Sequence, residues 1–472
     1  MNHNILNINR INILFLLVVI IISMIPTTGC KKFVEVEAPK SQLLGTMVFE
    51  EPGTAVAAMA GVYSQLRNEN NGLLYGGSWS MGSYMAQYAD ELINYSSANQ
   101  YYGLNFFKNI IFPDSDDIYS LWTTAYKQIY NVNAIIAGLE KSVKLTEAQK
   151  SQVKGEAIFI RAFLHFYLVN LFGDIPYVSS TDYIVNRDLS RMSTATVYDY
   201  IIQDLKAAEG LVGETYPSAE RVRPNKYAVR ALMARVYLYK QDWVNAEALA
   251  STVIGNPAYQ WVSNLDNVFL KQSTATIWAF KPTTEGLSTT EGNLFVLVAN
   301  PVPNGRSLTS SLINAFENGD LRRDSWIGSF SQGSNTWYFP YKYKQRTTLG
   351  TSSEYSVILR LGEQFLIRAE ARAHLGNITG AQNDLNKIRG RAGLPDTNAS
   401  TKQQLLDAIL HERQVELFTE FGHRFFDLKR MDKANEVLSV NKPNWKSEKK
   451  LLPIPEKELL VNPNLNPQNP GY

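Results

Sequence analysis

Residues 231–250 read ALMARVYLYKQDWVNAEALA, and this stretch gives the strongest indication of the fold. Apolar residues recur at helical spacing in its first half, and Asp242-Trp243 interrupts the run as a turn. Ala246 and Ala250 then begin a second amphipathic run. Because small alanines let two helices approach closely, the stretch predicts a tightly packed helical hairpin.

A second stretch repeats this arrangement much later in the chain. Ala369, Ala373 and Ala381 surround a turn at Leu375-Gly376-Asn377. Related helical pairs of this kind are typical of tetratricopeptide-like proteins, whose pairs stack into a curved scaffold. Such scaffolds are more often platforms for proteins than catalysts. The sequence therefore predicts a mostly α fold built on a tetratricopeptide-like helical-pair scaffold.

Two more helices are expected before the first hairpin. One is marked by an apolar stripe with spacings of three and four: Val153, Ala157, Ile160, Leu164 and Leu168. The other is expected to begin at Thr196, since Asp199 three residues later completes a motif resembling a capping box. These helices extend the predicted scaffold toward the N-terminus.

The long segment between the two hairpins has a different composition. Residues 262–350 are rich in Ser, Thr, Gly and Asn, and short apolar runs such as Thr276–Phe280 favour strands. We expect an irregular, partly β insertion that carries binding residues on a stiff helical frame. The tail, residues 451–472, is rich in Pro and Asn, which predicts a non-helical segment lying along the surface.

The N-terminus carries a signal for export. Arg10 precedes an almost unbroken apolar run over residues 11–25, which is short for a membrane span but typical of a signal peptide. Small residues then lead to Cys30, the only cysteine, as at a lipoprotein cleavage site. We expect residues 1–29 to be removed and Cys30 to be acylated, which anchors the protein. The alternative is an uncleaved anchor with a buried thiol.

Composition argues against several classes of function. Lys and Arg number 46 against 44 Asp and Glu, which leaves no charge excess for binding nucleic acid. A single cysteine excludes disulfides within the chain, and the five histidines lack the spacing of metal ligands. The sequence has no hydrolase elbow, Walker loop or dinucleotide fingerprint. We therefore predict no catalysis, no metal and no cofactor.

One acidic segment needs separate treatment. Asp114-Ser115-Asp116-Asp117 could hold a calcium ion, but it lacks the glycine turn and the distal glutamate of a calcium loop. A solvated helix start is the preferred interpretation.

Residues 412–430 form the most unusual charged stretch. If the apolar residues Leu406, Leu410, Leu417 and Phe421 form a core stripe on a helix, Arg413 lies on the same face, so a buried guanidinium would need a partner. Glu416 and Glu420 are both candidate partners. We interpret four residues as a structural ion network that locks the last helices, in preference to an active site: Arg413, Glu416, Arg424 and Asp427.

Further motifs carry a resemblance over nearly the whole chain. They are CKKF at 30–33, RAF at 161–163, LFGDIP at 171–176, residues 361–376 leading into NKIR at 386–389, ER and EL at 412–417, GHRFFDLKR at 422–430, LPIP at 452–455 and QNPGY at 468–472. Together they resemble the SusD/RagB family of outer-membrane lipoproteins of Bacteroidetes.

The resemblance implies a SusD-like body over residues 30–472, with an N-terminal part to about 230 and a C-terminal part from about 231. It implies a lipoprotein tethered to the outer membrane and facing the cell exterior, partnered by a SusC-like TonB-dependent transporter. The ligand would be an oligosaccharide, bound without catalysis. Alternatives are a RagB-like peptide-binding lipoprotein and a lipid-anchored glycoside hydrolase.

Candidate ligand-binding residues come from the aromatic side chains. Sugars present apolar C–H faces and polar rims, so exposed rings beside amides are the expected chemistry. Five residues in loop-like context are the candidates: Trp79, Tyr84, Trp337, Tyr338 and Tyr341. Each could instead be a packing anchor or a transporter contact. Five tryptophans within helix or strand patterns are expected in the core: Trp122, Trp243, Trp261, Trp278 and Trp326. Trp445 is uninformative.

The predicted lipid anchor is directly testable. Metabolic labelling with a fatty acid should mark the mature protein, because Cys30 would carry the acyl chains. A Cys30→Ser variant is the matched control and should remain unlabelled. An unlabelled wild-type product found free in the cytosol would contradict the prediction.

Overall fold

The computed structural model of the chain describes residues 47–96 and 103–472. The predicted signal peptide and Cys30 lie outside the described residues. Eighteen helices and six strands lie within them. The helices are α1 (Pro52–Asn68), α2 (Met81–Tyr88), α3 (Leu104–Phe107), α4 (Asp116–Lys141), α5 (Glu147–Phe172), α6 (Tyr183–Arg187), α7 (Thr194–Leu211), α8 (Lys226–Tyr239), α9 (Trp243–Ile254), α10 (Thr290–Phe295), α11 (Ser310–Ala315), α12 (Leu321–Trp326), α13 (Leu361–His374), α14 (Ile378–Arg391), α15 (Lys402–Leu417), α16 (His423–Arg430), α17 (Ala434–Asn441) and α18 (Glu456–Val461). The strands are β1 (Leu92–Asn94), β2 (Thr276–Phe280), β3 (Arg306–Leu308), β4 (Ile327–Gln332), β5 (Asn335–Pro340) and β6 (Ser356–Arg360).

The two predicted helical hairpins are α8–α9 and α13–α14, and their turns share one construction. The middle turn residue has a positive φ in both, 61° at Gln241 and 80° at Gly376. The next residue caps the second helix, with Asp242 accepting from Asn245 N at 3.2 Å and Asn377 accepting from Gly380 N at 2.9 Å. The repeated turn confirms that the two segments are related units.

The hairpins stack on one another and on the earlier helices. Helix α9 packs on α13, and α13 packs on both α14 and α15. On the N-terminal side, α4 packs on α5, α5 on α7, and α7 on α8. The Trp243 indole lies flat on the His374 imidazole, with ring centroids 3.7 Å apart, and so joins the two hairpins. This succession of paired helices confirms the mostly α, tetratricopeptide-like fold.

Helix α5 forms the centre of the main core. By length and composition it could cross a membrane, but 94% of its most apolar window is buried inside the protein. It is thus a core helix, and every residue from Gly155 to Phe172 is buried, beyond the single apolar stripe that the sequence predicts. The start of α7 differs from expectation, because Ser193 is the N-cap and accepts from Thr196 N at 3.2 Å. Thr196 is therefore the capped residue and not the cap.

The insertion is confirmed as irregular and partly β. It contains β2 to β5, of which β4 and β5 pair with each other, while β2 pairs with β6 and β3 with β1, both outside residues 262–350. All three pairs are antiparallel, and the expected strand over Thr276–Phe280 is β2. A second apolar cluster lies beneath this region and includes Phe269, Trp326 and Phe418. The acidic segment at 114–117 is a helix start, since α4 begins at Asp116.

The tail departs from the expectation of a non-helical surface segment. Residues 456–461 form α18, and Pro455 stands at its N-cap, where a missing N–H costs no helical hydrogen bond. The tail is also partly buried, because Leu452 N donates to Leu171 O at 2.8 Å and Asn469 Nδ2 donates to Phe172 O at 2.7 Å. These bonds satisfy carbonyls at the end of α5.

A buried acidic pair between α2 and β1 joins the N-terminal helices to α16. Asp90 accepts two bonds from Arg424, both at 2.8 Å. Glu91, only 1% exposed, accepts from Thr419 N at 3.2 Å. Burial, followed by the charge of Asp90, raises the pKa of the Glu91 carboxyl from 4.5 to about 8.

The raised pKa of Glu91 predicts a pH dependence of stability. The folded protein binds this proton more tightly than the unfolded chain, so the stabilisation is fully present below about pH 4.5 and is lost as pH rises through about 8. A difference of one between the pKa values of a group in the folded and unfolded chains changes the free energy of unfolding by about 1.4 kcal/mol. Urea denaturation should show the unfolding free energy of wild type falling by a few kcal/mol across this window relative to Glu91→Gln. Parallel pH profiles for the two proteins would contradict the expectation.

Candidate functional site

A buried ionic cluster connects the insertion to the helical scaffold. Its acidic centre is Glu416, near the end of α15, and Glu420 just beyond it; they are 0% and 8% exposed. Arg360, the last residue of β6, donates to Glu416 Oε1 at 2.6 Å and to Glu420 Oε2 at 2.8 Å. Arg391, at the end of α14, also donates to Glu416. We call these residues, with Arg322 and Lys342, the Glu416–Glu420 cluster.

Two cations of the cluster hold the β4–β5 hairpin at both ends. Arg322 lies in α12, which runs directly into β4, and its Nη1 is 3.2 Å from Glu416 Oε2. Lys342 lies just after β5, and its Nζ donates to Glu416 O at 2.8 Å and to Phe418 O at 2.9 Å. Both ends of the hairpin are therefore attached to α15 and the turn that follows it.

Electrostatics within the cluster follow from burial and pairing. Burial alone would raise the pKa of the Glu416 carboxyl, but Arg391, Arg360 and Arg322 outweigh it and hold that pKa well below its ordinary value. Burial lowers the pKa of the Lys342 amine to about 8, although Glu420 opposes the shift. Glu416 therefore stays ionised.

Of the four residues interpreted as one ion network, Arg413 and Asp427 pair with each other, whereas Arg424 and Glu416 pair with other residues. Arg413 Nε donates to Asp427 Oδ2 at 2.7 Å, so its partner is Asp427 and neither Glu416 nor Glu420. Arg424 pairs with Asp90, and Glu416 belongs to the cluster described above. All four side chains are buried and engaged in structural contacts.

The β4–β5 hairpin carries Trp337 in a strand, where the sequence pattern indicates a loop. Phe330 faces Trp337 across the hairpin and Gln332 faces Asn335. Because side chains alternate along a strand, these four residues lie on one face. The rings of Phe330 and Trp337 have centroids 6.4 Å apart, and both amides are exposed. One face therefore combines an aromatic pair with two amides.

Tyr338 and Tyr341 contribute differently. Tyr338 lies on the opposite face of the hairpin, half-buried against the second apolar cluster, with the Arg323 guanidinium 5.7 Å from its ring centroid. Tyr341 follows the hairpin, and its ring stands perpendicular to Phe339 at 5.7 Å. Tyr338 therefore does not share the face that carries Trp337, whereas Tyr341 contacts Phe339, which by strand alternation does.

Trp79 and Tyr84 lie at the N-terminal side. Trp79 is half-buried in the loop before α2 and packs against the main core. The prediction that Tyr84 binds ligand is wrong, because its side chain is 0% exposed and its ring stacks on that of Phe106, with ring centroids 4.3 Å apart. Its hydroxyl donates to Asn71 Oδ1 at 3.0 Å and lies 2.9 Å from Asp117 Oδ1. Tyr84 thus offers no face to a ligand.

The remaining tryptophans mostly follow the expected burial. Trp122, Trp278 and Trp326 are at most 3% exposed, whereas Trp243 and Trp261 are half-buried at the edge of the main core. Trp445 is 8% exposed and packs against Tyr88.

A second strand pair, β1–β3, lies beside the hairpin. Strand β3 packs against β5 and pairs with β1. After β1, the Tyr95 hydroxyl lies 2.9 Å from Ser307 Oγ. Sequence reasoning missed Tyr95, Phe330 and both hairpin amides, because only the strand register shows which residues share a face. The arrangement suits stacking and hydrogen bonding.

Within residues 47–96 and 103–472, no group of three or more His, Cys, Asp or Glu could hold a metal ion.

Two family comparisons cover most of the chain. Residues 37–238 match a family described as "Starch-binding associating with outer membrane". Residues 317–472 match the SusD family. Among curated proteins, SusD-like protein P2 of Formosa agariphila is 28% identical over 76% of this chain and 81% of its own length. SusD-like protein P25 of the same organism is 23% identical over 94% of this chain and 97% of its own.

Solved structures agree with the fold. A SusD superfamily protein from Bacteroides vulgatus, 21% identical, superposes with a TM-score of 0.75 over 90% of this chain and 100% of that one. A structure titled "Laminarin binding SusD-like protein" is 26% identical, with a TM-score of 0.74 over 89% of this chain and 99% of that one.

The Glu416–Glu420 cluster predicts a large effect of one neutral substitution. Glu416→Gln removes the charge that Arg360, Arg391 and Arg322 share, so each of these buried cations loses one carboxylate partner, at a cost of about 3–5 kcal/mol in unfolding free energy. Urea denaturation measures this loss. Glu436→Gln is the matched control, since Glu436 pairs with Lys433 at the surface and its replacement should leave the unfolding free energy almost unchanged. Equal losses in both variants would contradict the buried pairing.

Proposed function

The chain belongs to the SusD/RagB family, and on that premise we propose that it captures oligosaccharides and delivers them to a SusC-like TonB-dependent transporter. In this proposal it works as a lipid-anchored subunit on the outer face of the outer membrane and performs no catalysis. Binding would rely on stacking and hydrogen bonds alone.

The observation that carries the proposal is the single face shared by Phe330, Trp337, Gln332 and Asn335. Aromatic rings accept the C–H face of a sugar, and amides both donate to and accept from its hydroxyls. The Glu416–Glu420 cluster attaches both ends of the hairpin to the scaffold. A surface held in place before binding loses less entropy when a ligand arrives, which favours affinity.

The comparisons support the class of ligand. One matched family is described as starch-binding, and a structural relative is described as binding laminarin. Both ligands are glucans, whose rings have the apolar faces that suit an aromatic pair. Anchoring through Cys30 would keep the binding face near a membrane transporter.

The hairpin face can be tested by single substitutions. Trp337→Ala should weaken oligosaccharide binding by about 2 kcal/mol, roughly 30-fold, because it removes a central aromatic contact. Trp79→Ala should also weaken binding if the loop before α2 contributes. Calorimetry against panels of laminarin, starch and peptide fragments is the measurement.

Phe112→Ala is the matched control, since Phe112 is a 55% exposed aromatic residue outside the hairpin. The Phe112→Ala variant should bind oligosaccharides with the same affinity as wild type. Unchanged affinity in both tryptophan variants would contradict the placement of the site. Binding of peptides in place of sugars would replace the proposed ligand class, and turnover of an oligosaccharide would indicate an enzyme.

A further inference from the structure

A groove of about 310 Å³ lies between α4 and the C-terminal segment, outside the hairpin site. Trp122, Tyr126 and Tyr130 line it at intervals of four residues, which places them on one face of α4. Trp122 is 3% exposed and forms the base, whereas Tyr130 is 49% exposed and stands at the rim. Val461 of α18 lines the groove as well. The groove thus has an aromatic ladder along one helix.

Two hydrogen-bond acceptors in this groove lack full partners. Asn186 Nδ2 donates to Ser180 O at 2.8 Å, but its buried Oδ1 has no partner within the described part of the chain. Glu458 accepts from the Trp122 indole and forms no ion pair among the described residues. Burial raises the pKa of the Glu458 carboxyl, since the loss of water disfavours its charged form.

The groove's cation is partly engaged, and so is its second amide. Arg187 donates twice to Asp188, with both distances 3.0 Å. Asn462 Nδ2 donates to Leu189 O at 2.8 Å, and its Oδ1 accepts from Asn464 N at 3.0 Å. The groove therefore has acceptors without full partners at Glu458 and Asn186, and Arg187 Nη1 offers N–H donors that Asp188 does not use. These groups suit a ligand whose hydroxyls both donate and accept.

We propose that this groove is a second saccharide-binding site, in which sugar rings pack on Tyr126 and Tyr130 while hydroxyls donate to Glu458 and Asn186 Oδ1. Stacked C–H faces beside O–H donors match both features at once. The volume lies within the range of small-molecule sites, about 300–1,000 Å³. The inference rests on the proposed function and extends it to a second surface.

Hydrogen–deuterium exchange on the full chain can localise binding. The probes are maltooligosaccharides and laminarin oligosaccharides at millimolar concentration. Each probe that binds here should slow exchange in residues 176–187 and 456–462, in wild type and in Trp337→Ala. Tyr130→Ala should need at least a tenfold higher probe concentration for the same protection, because the exposed ring is lost. Tyr130→Phe is the matched control and should retain it, since the ring remains.

The outcomes separate this inference from the hairpin site. Protection of residues 327–340 alone would overturn the groove and leave the proposed function standing. Protection of the groove alone would support the inference and move the site away from the hairpin. No protection at either place would overturn both. Protection of the groove by a peptide digest, but by neither sugar, would overturn the saccharide assignment.

Discussion

The structure depends on the requirement that a buried charge be paired. Glu416 and Glu420 sit in the interior, where an unpaired carboxylate would be strongly destabilising. Their partners include Arg360 from β6 and Arg391 from α14, elements that meet only in the folded protein. Removing the carboxylates or the arginines would leave the opposite charge buried without a partner. The cluster therefore joins the insertion and the scaffold into one cooperative unit.

This constraint explains how an irregular region can carry a defined surface. A two-stranded hairpin is marginally stable by itself in water, and β4–β5 pairs with no third strand among the described residues. Arg322 and Lys342 attach its two ends to the scaffold through bonds to α15 and the following turn. The face that bears Trp337 is therefore positioned by charges at its base, while its tip stays open to solvent.

The scaffold itself offers a second kind of surface. Helix α4 presents aromatic rings to a groove whose other side is supplied by α18. That short helix lies in the tail. Hydrogen bonds between the tail and the end of α5 hold the tail in place. Hairpin and groove thus present the same chemistry, aromatic faces beside polar groups, on different parts of the fold. Under the proposed function, two such surfaces favour retention of a long saccharide, since binding at one keeps the saccharide near the other.

The class of fold could be predicted from the sequence alone, because helical periodicity and the repeated turns at Gln241 and Gly376 are local signals. The pairing of charges and the exposure of rings required the folded chain. Arg413 meets Asp427, and Tyr84 is covered by Phe106, since both outcomes depend on how separate elements pack. The sequence also identifies Trp337 as a candidate, but the residues that share its face follow only from the strand register. Local spacing specifies a helix, whereas pairing and exposure arise only when remote segments pack together.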